Sequence, residues 1–447
     1  MTTSVHAAPT LPADDGLWSL REAWSREERE AFQLAALRSQ LRYLHDSSEF
    51  YRRRLDAIGW RSDSLRSLAD LGRLPTTSKQ EYVQSLRARA PWGEALAAPK
   101  DSIHRVHFSS GTTSQPAPMF WTKPDLDRWA DLYARAAYSQ GVRASDTYQC
   151  LFNFSWFVGG LGAMSGYQRL GCACIPGGSS DSKRQLETIL RFGVTVVGGT
   201  PSFLLHLAEI AEAEAIDLAS SAVRIVMTGG EPGASLPGVR QQLERLWGAK
   251  VYDGYGSIEF QPTAWECAAQ SGNHLFDDFV YTEVVDAQTK EPVADGTPGV
   301  LVLTHLDKQA APLLRWWTGD IVVRDQTPCS CGRTSSRLIG GVRGRSDDML
   351  VIKGVNLFPS AVEDLIRRTL PDAGEFRIIA DESLRDPTTG FLSAIRVQVE
   401  VRDTLAAASE RLAAQIRQDL RVRAIVEPLD LGSLDRSNHK SNRLVRA

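Results

Sequence analysis

Four short segments hold the side chains best able to do chemistry. In Phe108-Ser109-Ser110-Gly111-Thr112-Thr113-Ser114-Gln115-Pro116, a short strand-like run, Arg105–Phe108, ends in hydroxyls and a glycine. Hydroxyls and unpaired backbone N–H groups in such a loop suit the oxygens of a triphosphate. No Gly-Lys-Ser/Thr follows, so it is not a Walker A loop. Thr228-Gly229-Gly230-Glu231-Pro232 closes a predicted strand, Val223–Met227. Ligands of open α/β sheets bind beyond the carboxyl ends of strands, and paired glycines let a flat ring come close to the backbone. Tyr252-Asp253-Gly254-Tyr255-Gly256-Ser257-Ile258-Glu259 offers a stacking aromatic, a pliant backbone and a carboxylate able to hold Mg²⁺. Trp317-Thr318-Gly319-Asp320 is a turn whose carboxylate can accept hydrogen bonds from a ribose diol. Each segment taken alone also reads as a plain turn.

Two further sets stand out. Cys267 and His274 flank one short loop, and Cys329 and Cys331 form a Cys-x-Cys in another. Three thiols and one imidazole make a closed tetrahedral set of the kind that holds structural Zn²⁺; the alternative is unrelated thiols in two loops. The remaining cysteines, Cys150, Cys172 and Cys174, sit in apolar strands and read as core. Phe152-Asn153-Phe154-Ser155-Trp156-Phe157 brings four aromatics together before Gly159-Gly160. Such a run suits a flat apolar ligand, with Asn153 and Ser155 placed to bind a ring hydroxyl or amine. The alternative is that Phe154 and Trp156 simply pack in the core.

Positioning these segments requires a regular scaffold. The apolar strands Tyr148–Phe152, Cys172–Pro176, Val194–Gly198 and Ile225–Gly229 alternate with amphipathic stretches, the mark of a helix-covered parallel sheet. Residues 26–56 read as helix. After Phe279 the pattern changes to strands and turns, predicting an antiparallel β subdomain with Tyr281–Val285, Gly299–Leu303 and Ile321–Val323. Beyond the polar stretch Gly344–Asp348, strands at Met349–Ile352, Phe376–Ala380 and Ala394–Val401 and helices at Pro359–Leu370 and Leu405–Leu420 predict a small α+β domain. The expected division is a disordered tail at 1–15, a large domain at 16–345 and a smaller one at 346–447. At 447 residues, with 43% hydrophobic and 23% charged residues, the chain is an ordinary globular one. A net charge of −3 argues against a nucleic-acid partner bound through phosphates. No apolar run of ~18 residues predicts a membrane span, and no leader is evident, so a cytoplasmic protein is expected. No Gly-x-Gly-x-x-Gly follows a first strand, which argues against a dinucleotide-binding dehydrogenase.

The four segments occur in this order and are followed by Gly344-Arg345-Ser346-Asp347-Asp348-Met349 and Ile352-Lys353-Gly354-Val355-Asn356-Leu357-Phe358-Pro359. In that combination the chain resembles the adenylate-forming superfamily of acyl-CoA synthetases, adenylation domains and luciferases. It is most similar to the phenylacetate-CoA ligase branch, through Thr122-Lys123-Pro124-Asp125, Trp129, Gly159-Gly160-Leu161-Gly162, Gly199-Thr200-Pro201-Ser202 and Asn356-Leu357-Phe358-Pro359-Ser360. The resemblance implies ATP- and Mg²⁺-dependent activation of a carboxylic acid to its acyl-adenylate, then transfer to the thiol of CoA or of a carrier-protein phosphopantetheine.

It further implies roles. Ser109, Ser110, Gly111, Thr112 and Thr113 hold phosphates. Gly230, Glu231 and Pro232 border adenine; Tyr255, with Asp253, Gly256 and Ser257 nearby, stacks on it. Glu259 holds Mg²⁺, and Asp320 and Arg345 hold the ribose. Gly198, Gly199, Thr200 and Pro201 form the wall opposite the aromatic run, Gly160 also binds the acid, and Asp347 is the hinge between domains. Lys440, in the polar C-terminal stretch Arg436-Ser437-Asn438-His439-Lys440, is the cation aimed at the acid's carboxylate and the α-phosphate. Some branch members look to carry a Cys/His metal site, and the branch is often dimeric. The chain departs from the superfamily in having Ser114 where a Gly is usual and Ala117 where a Lys is frequent. Rival readings are an aryl acid–AMP ligase that loads a carrier protein or releases the adenylate, and a non-catalytic ligand-binding relative.

Overall fold

The computed structural model describes residue 16 onward, apart from residues 62, 110–115, 179, 354, 387–391, 403–405 and 436–442. Five parallel strands form the centre of the larger unit. Across the sheet they run Ala173–Ile175, Thr147–Cys150, Val196–Gly199, Ile225–Gly229 and Lys250–Tyr255. Successive side chains in a strand point to opposite faces. Tyr148, Val196, Ile225 and Met227 therefore pack with residues of the helices Lys123–Ser139 and Gly159–Leu170 on one side. Val197, Val226 and Val251 pack with those of Ser182–Arg191, Pro201–Ala213 and Pro237–Trp247 on the other. With both faces covered, the strands read as unbroken apolar runs.

The antiparallel strands expected after Phe279 are continuous with the parallel ones. Val280–Val285, Pro298–His305 and Trp316–Asp325 are antiparallel neighbours. The two-residue strand Arg337–Leu338 joins Trp316–Asp325 to Asn273–Leu275, and Ala264–Glu266 links that strand to Lys250–Tyr255. One 12-stranded sheet results. The helix expected over 26–56 is two, Arg26–Ser47 and Glu49–Ala57. Ser48 divides them: its extended backbone and its hydroxyl, which accepts from Tyr51 N at 3.5 Å, begin the second helix.

The smaller unit has a core of its own, with Val362, Leu365, Ile378, Val397, Leu412 and Ile416 at its centre. Helices Pro359–Thr369 and Ala406–Leu420 cover a sheet ordered Ala424–Leu429, Ile395–Glu400, Phe376–Ala380, Leu444–Arg446. It meets the larger unit through polar contacts: Gly238 N donates to Asp364 Oδ1 at 2.8 Å, Gln242 Nε2 to Pro371 O at 2.9 Å and Arg402 Nη2 to Glu212 Oε2 at 2.6 Å. Among the described residues no helix is long and apolar enough to cross a membrane.

Candidate active site

The carboxyl ends of the parallel strands supply the site. Ile225–Gly229 delivers the Gly229-Gly230 turn, in which Gly230 has φ +86°, a conformation that glycine adopts without strain. Pro232 follows in the same turn. Glu231 turns toward the neighbouring helix, where its carboxylate accepts from Ser202 Oγ at 3.0 Å and Ser202 N at 3.3 Å. That contact fixes Thr200 and Pro201 beside it; Thr200 caps the helix by accepting from Phe203 N.

Lys250–Tyr255 carries the next group. Asp253 is buried and accepts from Thr228 Oγ1 at 3.2 Å and Asn273 Nδ2 at 2.9 Å. Burial pushes its carboxyl up, against the hydrogen bond from Asn273. Tyr255 donates its hydroxyl to Asp320 Oδ2 at 2.6 Å, and Arg345 Nη1 donates to Asp320 Oδ1 at 3.2 Å. Burial, and then the Asp320 charge, raise the Tyr255 phenol well above its ordinary value, so it stays a donor. Arg345 also holds Asp347 through Nε at 2.8 Å and Nη2 at 2.9 Å. The expected ribose pair, adenine aromatic and hinge aspartate thus form one hydrogen-bonded chain. Gly256 and Ser257 make the turn after Tyr255; Ser257 Oγ accepts from Phe260 N at 3.2 Å and presents Glu259, whose side chain is buried. A buried carboxylate that accepts from no described donor fits a cation such as Mg²⁺, which would neutralise charge on the phosphates.

Residues of the aromatic run divide. Phe152 and Phe154 are half-buried and lie over the start of the helix Gly159–Leu170: a methyl on Gly159 would stand 3.4 Å from the Phe152 ring, and one on Gly160 would stand 3.0 Å from the Phe154 ring. Phe152 also reaches toward Gly229. Asn153 Oδ1 accepts from Ser155 N at 2.8 Å, closing a tight turn. Ser155 and Trp156 face outward; Trp156 packs its ring on Phe108 at 4.8 Å and accepts from Phe108 N through its carbonyl. Gly199 is buried at the facing strand end.

The neck of the phosphate loop is closed by Ser109 and Ala117: Ser109 N donates to Ala117 O, and Ala117 N donates to Ser109 Oγ, both at 3.0 Å. Ser110, Gly111, Thr112 and Thr113 lie outside the described residues, and so does Lys440.

The ligand atoms of Cys267, His274, Cys329 and Cys331 all lie within 4.8 Å of one another. Cys267 Sγ and Cys329 Sγ are 3.9 Å apart, and Cys331 Sγ is 3.5 Å from His274 Nε2. With Zn–S of ~2.3 Å and Zn–N of ~2.0–2.1 Å, tetrahedral Zn²⁺ calls for about 3.8 and 3.6 Å. His274 Nδ1 contacts Ser335 Oγ at 2.9 Å, a contact of the kind that would orient the imidazole toward a metal. Asn273, which sequence reasoning passed over, ties this corner to Asp253; an asparagine next to a histidine gives no signal of its own.

Fold and site together define an adenylate-forming enzyme, and the chain belongs to the AMP-binding enzyme family: residues 55–305 match that family and residues 354–446 its C-terminal domain. Within it the chain is an ATP-dependent, AMP-forming acid–thiol ligase of the phenylacetate-CoA ligase branch. It is 33% identical over 408 residues to the phenylacetate-coenzyme A ligase of Aromatoleum evansii, covering 90% of this chain and 89% of that one. It is also 33% identical over 435 residues to that of Thermus thermophilus, with 93% and 96% covered. The crystal structure of a 2-hydroxyisobutyryl-CoA ligase in its postadenylation state matches with a TM-score of 0.92 at 30% identity, covering 99% of this chain and 95% of that one. The same ligase in its thioesterification state matches with a TM-score of 0.74. The two units here are thus arranged more nearly as in the first state.

Proposed function

We propose that the chain activates an aromatic carboxylic acid, benzoate- or phenylacetate-like, with or without a hydroxy or amino substituent, as its acyl-adenylate, and passes the acyl group to CoA. The supporting observation is the pair Phe152 and Phe154, half-buried rings set against Gly159 and Gly160, with Phe152 also reaching toward the strand end at Gly229. Rings stacked on bare backbone suit a planar acid better than a flexible chain. Attack of the carboxylate on the α-phosphorus expels pyrophosphate; the Tyr255–Asp320–Arg345 chain holds the nucleotide while charge builds on the transferring group. The thiol then displaces AMP. Rotation of the smaller unit about Asp347 serves the two steps in turn, and the hydrogen bonds across its seam with the larger unit support this reading because they can be exchanged for water. AMP release across benzoates, phenylacetates, short hydroxy acids and fatty acids tests the reading. The aromatic acids are expected to lead; highest turnover with an aliphatic acid would overturn it, and a carrier protein outperforming CoA would change the acceptor.

The reading includes a structural Zn²⁺ held by Cys267, His274, Cys329 and Cys331. Elemental analysis of purified protein is expected to give one zinc per chain, and chelation is expected to lower the melting temperature. The two loops then lose a bond set whose free energy is part of the folding free energy. Protein that is well folded with far less than one zinc would remove the metal from the account.

A further inference from the structure

The seam between the two units runs along one helix face. Gly238, Gln242 and Arg245 stand at i, i+4 and i+7 of the helix Pro237–Trp247, so they share a side of it. That side meets the helix Pro359–Thr369 and the turn after it. Gly238 N donates to Asp364 Oδ1 at 2.8 Å, Gln242 Nε2 to Pro371 O at 2.9 Å and Arg245 Nη2 to Asp372 Oδ1 at 3.2 Å. No hydrophobic cluster among the described residues spans the seam: Val239 and Leu243 belong to a core of the larger unit, Val362 and Leu365 to that of the smaller. Parting the units therefore opens neither core, and the polar contacts decide how firmly they hold.

These contacts are unequal. Arg245 and Asp372 are exposed, as are Arg402 and Glu212, and exposed ion pairs contribute little. The contact of Gly238 is of another kind. The first N–H groups of a helix have no acceptor within it. Pro237 carries no N–H, and Leu236, at the N-cap, has no side-chain acceptor. The cap comes instead from the other unit, as the Asp364 carboxylate, at the end where the helix dipole favours negative charge. Arg368 Nε holds the second oxygen of that carboxylate at 3.0 Å. The contact also needs glycine. A methyl on Gly238 would stand 2.7 Å from Asp364 O, 3.0 Å from Arg368 Cγ and 3.1 Å from Arg367 Cβ. A backbone oxygen cannot swing aside as the end of a flexible side chain does, so a larger residue parts the two helices.

We propose that Gly238 and Asp364 are positioning residues that latch the smaller unit in the arrangement described here, the one nearer to that of the postadenylation relative than to that of the thioesterification relative. The helix Pro237–Trp247 is capped while the latch is closed, and its release falls between adenylate formation and attack of the thiol. The proposal rests on rotation of the smaller unit between the two half-reactions. Each half-reaction is then proportional to the population of its own arrangement. A weaker latch changes the ratio of the two rates by the factor by which it changes the equilibrium.

The test uses the full-length protein with Gly238→Ala, with Asp364→Ala and with both. Small-angle scattering of the protein alone reads the two arrangements. The latched-to-rotated ratio is expected to fall about tenfold in each single variant, the usual worth of a helix cap or a charge-assisted hydrogen bond. It is expected to fall no further in the double variant, because both changes open one contact. With phenylacetate as the probe acid, pyrophosphate exchange is expected to slow and transfer from phenylacetyl-adenylate to CoA to hold or quicken, the ratio of transfer to exchange rising about tenfold. Alanine favours a helix over glycine, so the melting temperature of Gly238→Ala is expected to hold; if Asp364→Ala does not fold, Gly238→Ala decides alone. Arg402→Ala, which breaks an exposed pair of the same seam, is expected to change neither scattering nor rates. Scattering and rate ratio both unchanged in Gly238→Ala would overturn the proposal. So would an equal effect of Arg402→Ala. Altered scattering with an unaltered rate ratio would support the latch and count against the rotation on which its role in the reaction rests. No pyrophosphate exchange by the unaltered protein with phenylacetate or benzoate would count against the aromatic-acid reading alone, and scattering would still decide the latch.

Discussion

Lys440→Ala is expected to slow acyl-adenylate formation by about 10²–10³-fold, the usual effect of deleting one group aimed at developing charge. Transfer from a supplied acyl-adenylate to CoA is expected to continue near the unaltered rate, because the α-phosphorus has then already reacted. Lys440 is assigned through its place in the polar C-terminal stretch, and the structure narrows the choice of cation there. Arg443, the other candidate, is committed elsewhere: it pairs with Glu375, lies 3.9 Å from Glu363 and stacks 4.3 Å over the Phe376 ring. The strand Leu444–Arg446 then fixes the end of the chain alongside Phe376–Ala380. Pyrophosphate exchange measures the first step alone; a near-normal rate in the variant would show that another cation does the work.

Asp320→Ala is expected to reduce both half-reactions, by about 10²–10³-fold in kcat/KM for ATP in the first and for supplied acyl-adenylate in the second. The carboxylate joins Tyr255 at 2.6 Å and Arg345 at 3.2 Å. Hydrogen bonds to a charged group contribute ~1.5–3 kcal/mol each, and removing the acceptor also leaves the half-buried Tyr255 hydroxyl without its partner. Since AMP stays bound through both steps, the loss falls on both, unlike that of Lys440→Ala. A variant impaired only in adenylation would mean that Asp320 acts on pyrophosphate departure and not on the ribose.

Much of this architecture was legible in the residues because periodicity and turn chemistry are local. The strand ends at Gly229, the helix Pro359–Thr369 and the strand Phe376–Ala380 all follow from apolar runs broken by Gly, Pro or polar residues. What was not legible depends on long-range pairing. The two-residue strand Arg337–Leu338, which unites the parallel and antiparallel strands, is too short to leave a period. The division at Ser48 was hidden because apolar residues continue across it; its partner, Glu94 O at 3.1 Å, is far away in the chain. In the site, Cys267, His274, Cys329 and Cys331 announce themselves by type and spacing. Trp156 was read as a wall of the acid pocket, and its outward position on Phe108 depends on a turn that composition does not reveal. Asn273 gave no signal because an asparagine in a polar loop is common; only its burial and its bond to Asp253 distinguish it.

The residues proposed to surround the acid and those proposed to surround the nucleotide arise on different parts of the chain. Phe152, Phe154, Gly160 and Gly199 come from the first half of the parallel sheet, whereas Asp253, Tyr255, Glu259, Asp320 and Arg345 come from its last strand and the antiparallel extension. Substitutions in the first set leave the hydrogen-bonded chain of the second intact. This modularity lets one adenylating engine diverge toward new acids by changing a few loop positions, and it marks residues 152–160 as the place to begin redesign of substrate range.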